Sequence, residues 1–392
     1  MLPLAITLAA LSGIAALVWT TRHIKLSRER AHGFWLTPDR PGPPTDAPRI
    51  SVIVAAKDEQ ENIEACVRTM LDQDYPNFEM IACNDRSDDA TGDILARVAA
   101  EDDRLTAVNV RSLPDGWCGK NNAMREGVSR ASGDWLCMID ADCRQLSRRT
   151  LSTAMQHALD TKADLLSVLP TLEMKGFWEN VVQPVCGGVM LIWFDKDKVN
   201  SPHRRHAYAN GAFMLIRREA YEAVGGHEAV KDQVNEDMHM AAAVKKAGMN
   251  LRVVPNRGLY LTRMYTSLGQ IVRGWSRIFF GTFGTLGKLV TSFMLLLVMG
   301  LVPYAAAGLG LGLHAAGGGA AWLAAGVLGA AAAGLQMTVM LRYYRLIQGK
   351  PALAWTYPLG CAVAMLAVVK AIGKLRAGSK VTWRNTTYTR PS

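Results

Sequence analysis

Three stretches of the chain are continuously apolar, and they bracket a long segment in which apolar and polar positions alternate. Residues 1–20 carry no charge and are followed at once by Arg22, Lys25, Arg28 and Arg30. Leu289 to Met340 has no Asp, Glu, Lys or Arg, and a further apolar run spans 351–369. Crossing a hydrocarbon core of about 30 Å takes roughly 20 apolar residues, so each run reads as a membrane segment. In the first run the basic residues come after the apolar residues, the reverse of a cleaved signal peptide. It therefore reads as an uncleaved anchor that leaves the following domain on the cytoplasmic side. The second run holds two spans, about 289–313 and 320–341, joined by the small-residue loop His314–Gly319. Arg342, Arg345 and Lys350 then return to the cytoplasm. For 351–372 two readings stand. A full crossing would put Lys374, Arg376, Lys380 and Arg384 outside, against the positive-inside rule. A broken or re-entrant helix at Pro358 and Gly360 would keep them inside.

Between the apolar blocks the period is that of strands and helices in turn. Ile50-Ser-Val-Ile-Val54 is a β-branched run suited to a strand buried on both faces. Glu61–Leu71 has helical spacing, Phe78–Cys83 reads as a second strand, and helix 91–100, strand 105–110, helix 120–130 and strand 134–139 follow. This alternation predicts an α/β domain, a mostly parallel sheet with helices on both faces. Ligands of such sheets bind outside the carboxyl ends of the strands. That picks out three acidic turns: Lys57-Asp-Glu59, Asn84-Asp85 and Asp140-Ala-Asp142.

Composition narrows the picture. Hydrophobic residues make up 49% and charged residues 20% of 392, which excludes a disordered chain. Seven cysteines, an odd number with no CxxC pair, read as reduced thiols rather than a disulfide framework. The net charge of +10 concentrates beside the apolar runs, where it suits anionic headgroups better than nucleic acid. There is no GxSxG, Walker A, GxGxxG or HExxH pattern, so hydrolase, ATPase, dinucleotide and zincin readings lose their usual support.

Asp140 and Asp142, one residue apart after Trp135–Ile139, can hold a hard cation such as Mg²⁺ or Mn²⁺ while leaving positions for diphosphate oxygens; alone, they read rather as a solvated turn or helix cap. Asp85 sits where a carboxylate could accept from a base N–H. Lys120 opens a helix after a glycine turn, where a cation suits phosphate. Glu236-Asp237 is either a charged first helical turn or a source of a general base. Gln270, Arg273 and Trp275 begin a stretch that reads as an amphipathic interfacial helix or as a cover for a bound donor.

Taken in order, Ser51–Glu59, Asn84-Asp85, Gly119-Lys120, Asp140-Ala-Asp142, Glu236-Asp237 and Gln270…Arg273…Trp275 resemble family-2 glycosyltransferases of the GT-A fold, over about 50–285. The stretch Gly211–Tyr221 with Gly225-Gly226 resembles that family's acceptor side. The bracketing anchors make the chain most similar to its lipid-glycosylating branch, which includes hopanoid-associated, ceramide and carotenoid glycosyltransferases. The resemblance implies a GT-A nucleotide-diphospho-sugar transferase fold with transmembrane helices. It further implies an inverting, metal-dependent transfer from a nucleotide-sugar, a UDP-sugar by preference, to a membrane-lipid hydroxyl. On this resemblance Ala55, Glu59, Asp85, Lys120 and Asp140 bind the donor, and Asp140 and Asp142 hold the cation. Asp237, with Glu236, is the base, and Gln270, Arg273 and Trp275 close the site. The division that follows is an anchor (1–21), a basic Pro-rich linker (22–48) and a cytosolic catalytic domain (49–265). An interfacial segment (266–288), a transmembrane region (289–372) and a basic tail (373–392) complete it. The chain is expected to be multi-pass in the cytoplasmic membrane. Asp58-Glu59 and Asn84 depart from the family's usual pairs, and Gly274 separates Arg273 from Trp275 where processive synthases have Arg-Trp. Three alternatives stand beside this reading: a processive polysaccharide synthase, a polyprenyl-phosphate sugar transferase and an inactive membrane scaffold.

Overall fold

The first apolar run forms helix α1 (Leu2–His32), which passes through Arg22, Lys25, Arg28 and Arg30 without a break. The linker expected from residue 22 therefore starts only after His32. No Gly or Pro interrupts 22–32, its Lys, Arg and Glu are good helix formers, and Arg30 and His32 suit the negative end of the helix dipole. The computed structural model describes residues 1–42, 46–376, 380–383 and 386–389. Pro43 and Pro44 of the expected linker, and Arg384 of the expected tail, lie outside the described residues.

The central domain runs β1 (Ile50–Ala56), α2 (Ile63–Leu71), β2 (Phe78–Asp85), α3 (Thr91–Ala99), β3 (Leu105–Val110), α4 (Gly119–Val128), β4 (Trp135–Asp140), β5 (Cys143–Gln145), α5 (Thr150–Asp160), β6 (Leu165–Leu169) and β7 (Thr171–Leu172). It continues with α6 (Phe177–Trp193), α7 (Lys196–Asn200), β8 (Phe213–Arg217), α8 (Arg218–Ala223), α9 (Glu236–Lys246), β9 (Leu251–Pro255), β10 (Tyr260–Thr262) and α10 (Leu268–Phe283). Seven strands form one sheet in the order β3-β2-β1-β4-β8-β6-β9, and β5-β10-β7 form a smaller one. The run β3-β2-β1-β4 is parallel throughout, while β8 is antiparallel to both its neighbours. The β-branched run at β1 follows from this position. Val52 and Val54 enter one core with α2 and α5, and Ile53 enters the other with α4 and α9. The register sets Ala55 level with Cys83 of β2 and Asp140 of β4, so the acidic turns emerge side by side at the carboxyl edge.

The C-terminal apolar block forms α11 (Leu286–Leu296), a π-helical turn at Leu297–Leu301, α12 (Val302–Ala315), α13 (Ala320–Leu346), and α14 (Tyr357–Gly373) after a 3₁₀ turn at Pro351–Thr356. Among the described residues, four segments are long and apolar enough to cross a membrane: Leu2–His32, Leu286–Ala315, Ala320–Leu346 and Pro351–Gly373. Their outward apolar side chains associate the chain with a membrane. Inward, Ala5 and Leu8 of α1 pack on Ala306 and Trp322, and Ala15 and Trp19 on Ala332 and Met340. A Cβ on Gly326 or Gly310 would run into the facing backbone, so glycine allows the α12–α13 approach. The break at Pro358 and Gly360, one of the two readings for 351–372, does not occur. Pro358 falls in the first turn of α14, where a missing N–H costs nothing, and Gly360 lies flat against the Val181 carbonyl of α6. Beyond α14, Lys380–Trp383 and Thr386–Thr389 pair as an antiparallel hairpin within the expected tail.

Candidate active site

Three acidic side chains and one lysine meet where β4, α4 and α9 converge. Lys120, in the first turn of α4, bridges Asp140 Oδ1 at 2.7 Å and Glu236 Oε1 at 2.6 Å. Burial alone would lower the Lys120 pKa, but the Asp140 and Glu236 charges hold it well above its ordinary value. Beside Glu236, Asp237 accepts from the Gly211 N–H at 2.8 Å and the Met238 N–H at 2.7 Å. Burial and then the Glu236 charge push the Asp237 carboxyl up to about 7, against the pull of Lys120. A Cβ on Gly211 would sit 3.1 Å from Lys120 Nζ and 3.5 Å from Asp237 Oδ2, so that position works without a side chain.

Asp142 lies on the turn after β4. The Thr262 hydroxyl hydrogen-bonds its carboxylate, while Oδ1 is buried and has no partner. Burial, then the charges of Asp140 and Glu59, raise its pKa to about 7. An orphaned carboxylate oxygen amid uncompensated negative charge fits a divalent cation, which would fill the lone pair and offset the charge. The cation would rest on these two carboxylates and on donor oxygens. Among the described residues, no group of three or more His, Cys, Asp or Glu gathers that could hold a metal.

At the β1–β2 edge, Glu59 Oε2 accepts from Asn62 Nδ2 at 2.8 Å, and the Glu59 N–H donates to Thr91 Oγ1. Lys57 folds inward onto the carbonyls of Asp85 and Arg86. Asp85 is buried and held by both Arg86 Nε (2.8 Å) and Arg86 Nη2 (3.0 Å), an engagement the sequence did not announce.

Gln270 and Arg273 do not close over these acids. Both are exposed on α10, and Gln270 Oε1 is used up by the Thr266 N–H and hydroxyl. Of the expected trio Trp275 alone faces inward, buried against Phe279 in the cluster that joins α6, α10 and α14. The segment is amphipathic as one reading held, but its apolar face is covered by protein. Gly274, the departure noted above, is forced by Tyr265, whose ring lies where a Cβ would stand.

Residues not singled out in the sequence hold the site together. Asn121 Nδ2 donates to the carbonyls of Val230, Lys231 and Gln233 and so fixes the loop before α9. Asn235 donates to Ile278 O and Thr282 Oγ1 of α10, in a space that Gly281 leaves open. Both partners are remote in sequence, so no local pattern marks them. A cavity of about 570 Å³ runs from Lys120, Asp140, Glu236 and Asp237 past Tyr208 and Trp275 to Trp19 of α1 and Met340 of α13. It links the acids to the apolar helices.

Residues 51–225 match the family model described as Glycosyl transferase family 2. The 4,4'-diaponeurosporenoate glycosyltransferase of Staphylococcus aureus (strain USA300) is 27% identical over 255 residues, 63% of this chain and 65% of that protein. The protein of the same name from strain MRSA252 is 26% identical over the same lengths. The chain thus spans just under two thirds of these relatives. Among solved structures, a mannosyltransferase from Pyrobaculum calidifontis in complex with GDP-Man and Mn²⁺ superposes with a TM-score of 0.58 at 21% identity, covering 95% of this chain and 99% of that one.

Proposed function

We propose that this chain, whose residues 51–225 form a glycosyl transferase family 2 domain on a GT-A fold, transfers a sugar from a nucleotide-sugar to a hydroxyl of a membrane lipid, with inversion at the anomeric carbon. The observation that carries this reading is the cavity that joins Asp237 and Asp140 to apolar membrane helices. A water-soluble acceptor has no use for a path walled by Trp19, Leu296 and Met340. The diaponeurosporenoate named for the relatives is a long apolar carboxylate, which supports an apolar acceptor but not the hydroxyl itself.

In this account the nucleoside of a UDP-sugar lies along the β1–β2 edge at Ala55, Glu59 and Asp85. The Asp85 carboxylate keeps lone pairs for a base N–H beyond those that Arg86 occupies. Asp237 takes the proton of the acceptor hydroxyl as the oxygen attacks the anomeric carbon, and the two N–H groups at its oxygens fix its aim. Lys120 holds Glu236 and Asp140 in place, so that neither turns toward Asp237. A divalent cation on Asp140 and Asp142, Mg²⁺ or Mn²⁺, would supply charge neutralisation of the leaving nucleoside diphosphate. The basic ends of α1 and α13 meet where Arg342 donates to His23 and Ser27, beside the catalytic domain. That placement supports a cytoplasmic domain.

The test is a panel of radiolabelled nucleotide-sugars incubated with membranes that contain the protein. One donor should label a single lipid-extractable species. Label confined to the aqueous phase, or spread over a ladder of polymer, would contradict the proposal.

A further inference from the structure

One wall of the cavity belongs to α6, and its composition is unusual for a buried helix. Gln183 is fully buried and lines the cavity, yet neither its Nε2 nor its Oε1 has a hydrogen-bond partner. One turn on, Gly187 shares that face, and it and the next residue, Gly188, both line the wall. Glycine is the poorest helix former after proline, and it appears here twice inside a helix. Close packing does not ask for it. A Cβ on Gly188 would meet nothing within 4 Å, and one on Gly187 only the Tyr343 hydroxyl at 3.8 Å. Gly360 of α14, by contrast, is pressed against the Val181 carbonyl of the same helix. The two glycines thus keep space open rather than let a neighbour approach. The Trp275 Nε1–H, also on the wall, is a second buried polar group without a partner.

We propose that the Gln183, Gly187 and Gly188 face of α6 is the acceptor subsite. The Gln183 amide, which can donate and accept, holds an oxygen-bearing group of the lipid, and the glycines leave room for the adjoining apolar body. The acceptor class this selects is a lipid with a polar function in addition to the hydroxyl that receives the sugar, rather than a plain long-chain alcohol. A buried amide is costly unless bonded, so the unmet atoms on this wall mark where that function lies. The inference rests on the proposal that the acceptor is a membrane lipid.

Two variants test it in the full-length protein. Gln183→Met keeps the side-chain length and removes the hydrogen bonds, while Gly188→Leu fills the space with a better helix former. For each, UDP and GDP binding in the presence of Mn²⁺ is measured by calorimetry. Sugar transfer is then followed against increasing amounts of a total lipid extract from the native membranes. Nucleotide affinity should stay within about twofold of wild type, and half-saturation in extract should rise about tenfold or more, the equivalent of one lost hydrogen bond. Wild-type extract dependence in either variant overturns the subsite. So does loss of nucleotide binding, which would mark a purely structural role. A wild-type protein that binds nucleotide and labels no lipid overturns the lipid-acceptor proposal, and the subsite with it.

Discussion

At the scale of single residues, the sequence placed the acids well and their partners poorly. Asp140, Asp142, Glu236 and Asp237 were legible because strand ends and helix starts are local patterns. The Lys120 bridge to Glu236 and the Arg86 clamp on Asp85 were not, since one depends on long-range packing and the other on a backbone turn, with Arg86 at φ 53°. The raised pKa of Asp237 makes a directional prediction. A base must be ionised, so kcat should climb with pH up to about 7 and level off above it. A pH–rate profile checks this, and a rate that falls over that range would contradict the base role. Asp142→Ala should cost at least about 10²-fold in transfer and shift the Mn²⁺ requirement upward. Titration of activity against Mn²⁺ reads both.

At the scale of elements, strands and helices fell close to where the hydrophobic period put them, because the β3-β2-β1-β4 core is built of continuous buried runs. The period could not foresee what the prolines do. Pro184 in α6 has no N–H for the Asn180 carbonyl, which the Tyr344 hydroxyl takes up at 2.7 Å. Pro303 at the start of α12 likewise frees the Met299 carbonyl, which accepts from Trp19 Nε1 at 3.3 Å and Gln336 Nε2 at 2.6 Å. In both cases a side chain of α13 replaces the missing donor, so α13 ties the catalytic domain to the membrane bundle. Tyr344→Phe leaves a buried carbonyl unmet and should cost about 1–3 kcal/mol. The thermal midpoint of the purified protein should fall by a few degrees, and an unchanged midpoint would count against the tie. Of the trio expected to close the site, only Trp275 lines the cavity. Helix α10 turns Gln270 and Arg273 outward and gives its inner face to α6 and α14.

At the scale of the whole molecule, apolar runs announced the four long helices, but which side of the membrane each end faces is a question of packing. Lys374, just past α14, donates to Ser276 of α10, which keeps that end beside the catalytic domain. All seven native cysteines are free and buried, so an introduced cysteine can be labelled against low background. An impermeant maleimide should label Ala316→Cys in intact cells, and Arg376→Cys only after lysis. Labelling of Arg376→Cys in intact cells would instead make α14 a full crossing.

Asp237 is the group at the meeting point of domain and membrane on which transfer depends. Wild type and Asp237→Asn, each purified into lipid nanodiscs, should bind the donor nucleotide alike. Transfer of labelled sugar to lipid should fall about 10²- to 10⁴-fold in the variant. Near-normal transfer by Asp237→Asn would contradict the claim that this carboxylate draws the proton from a lipid hydroxyl.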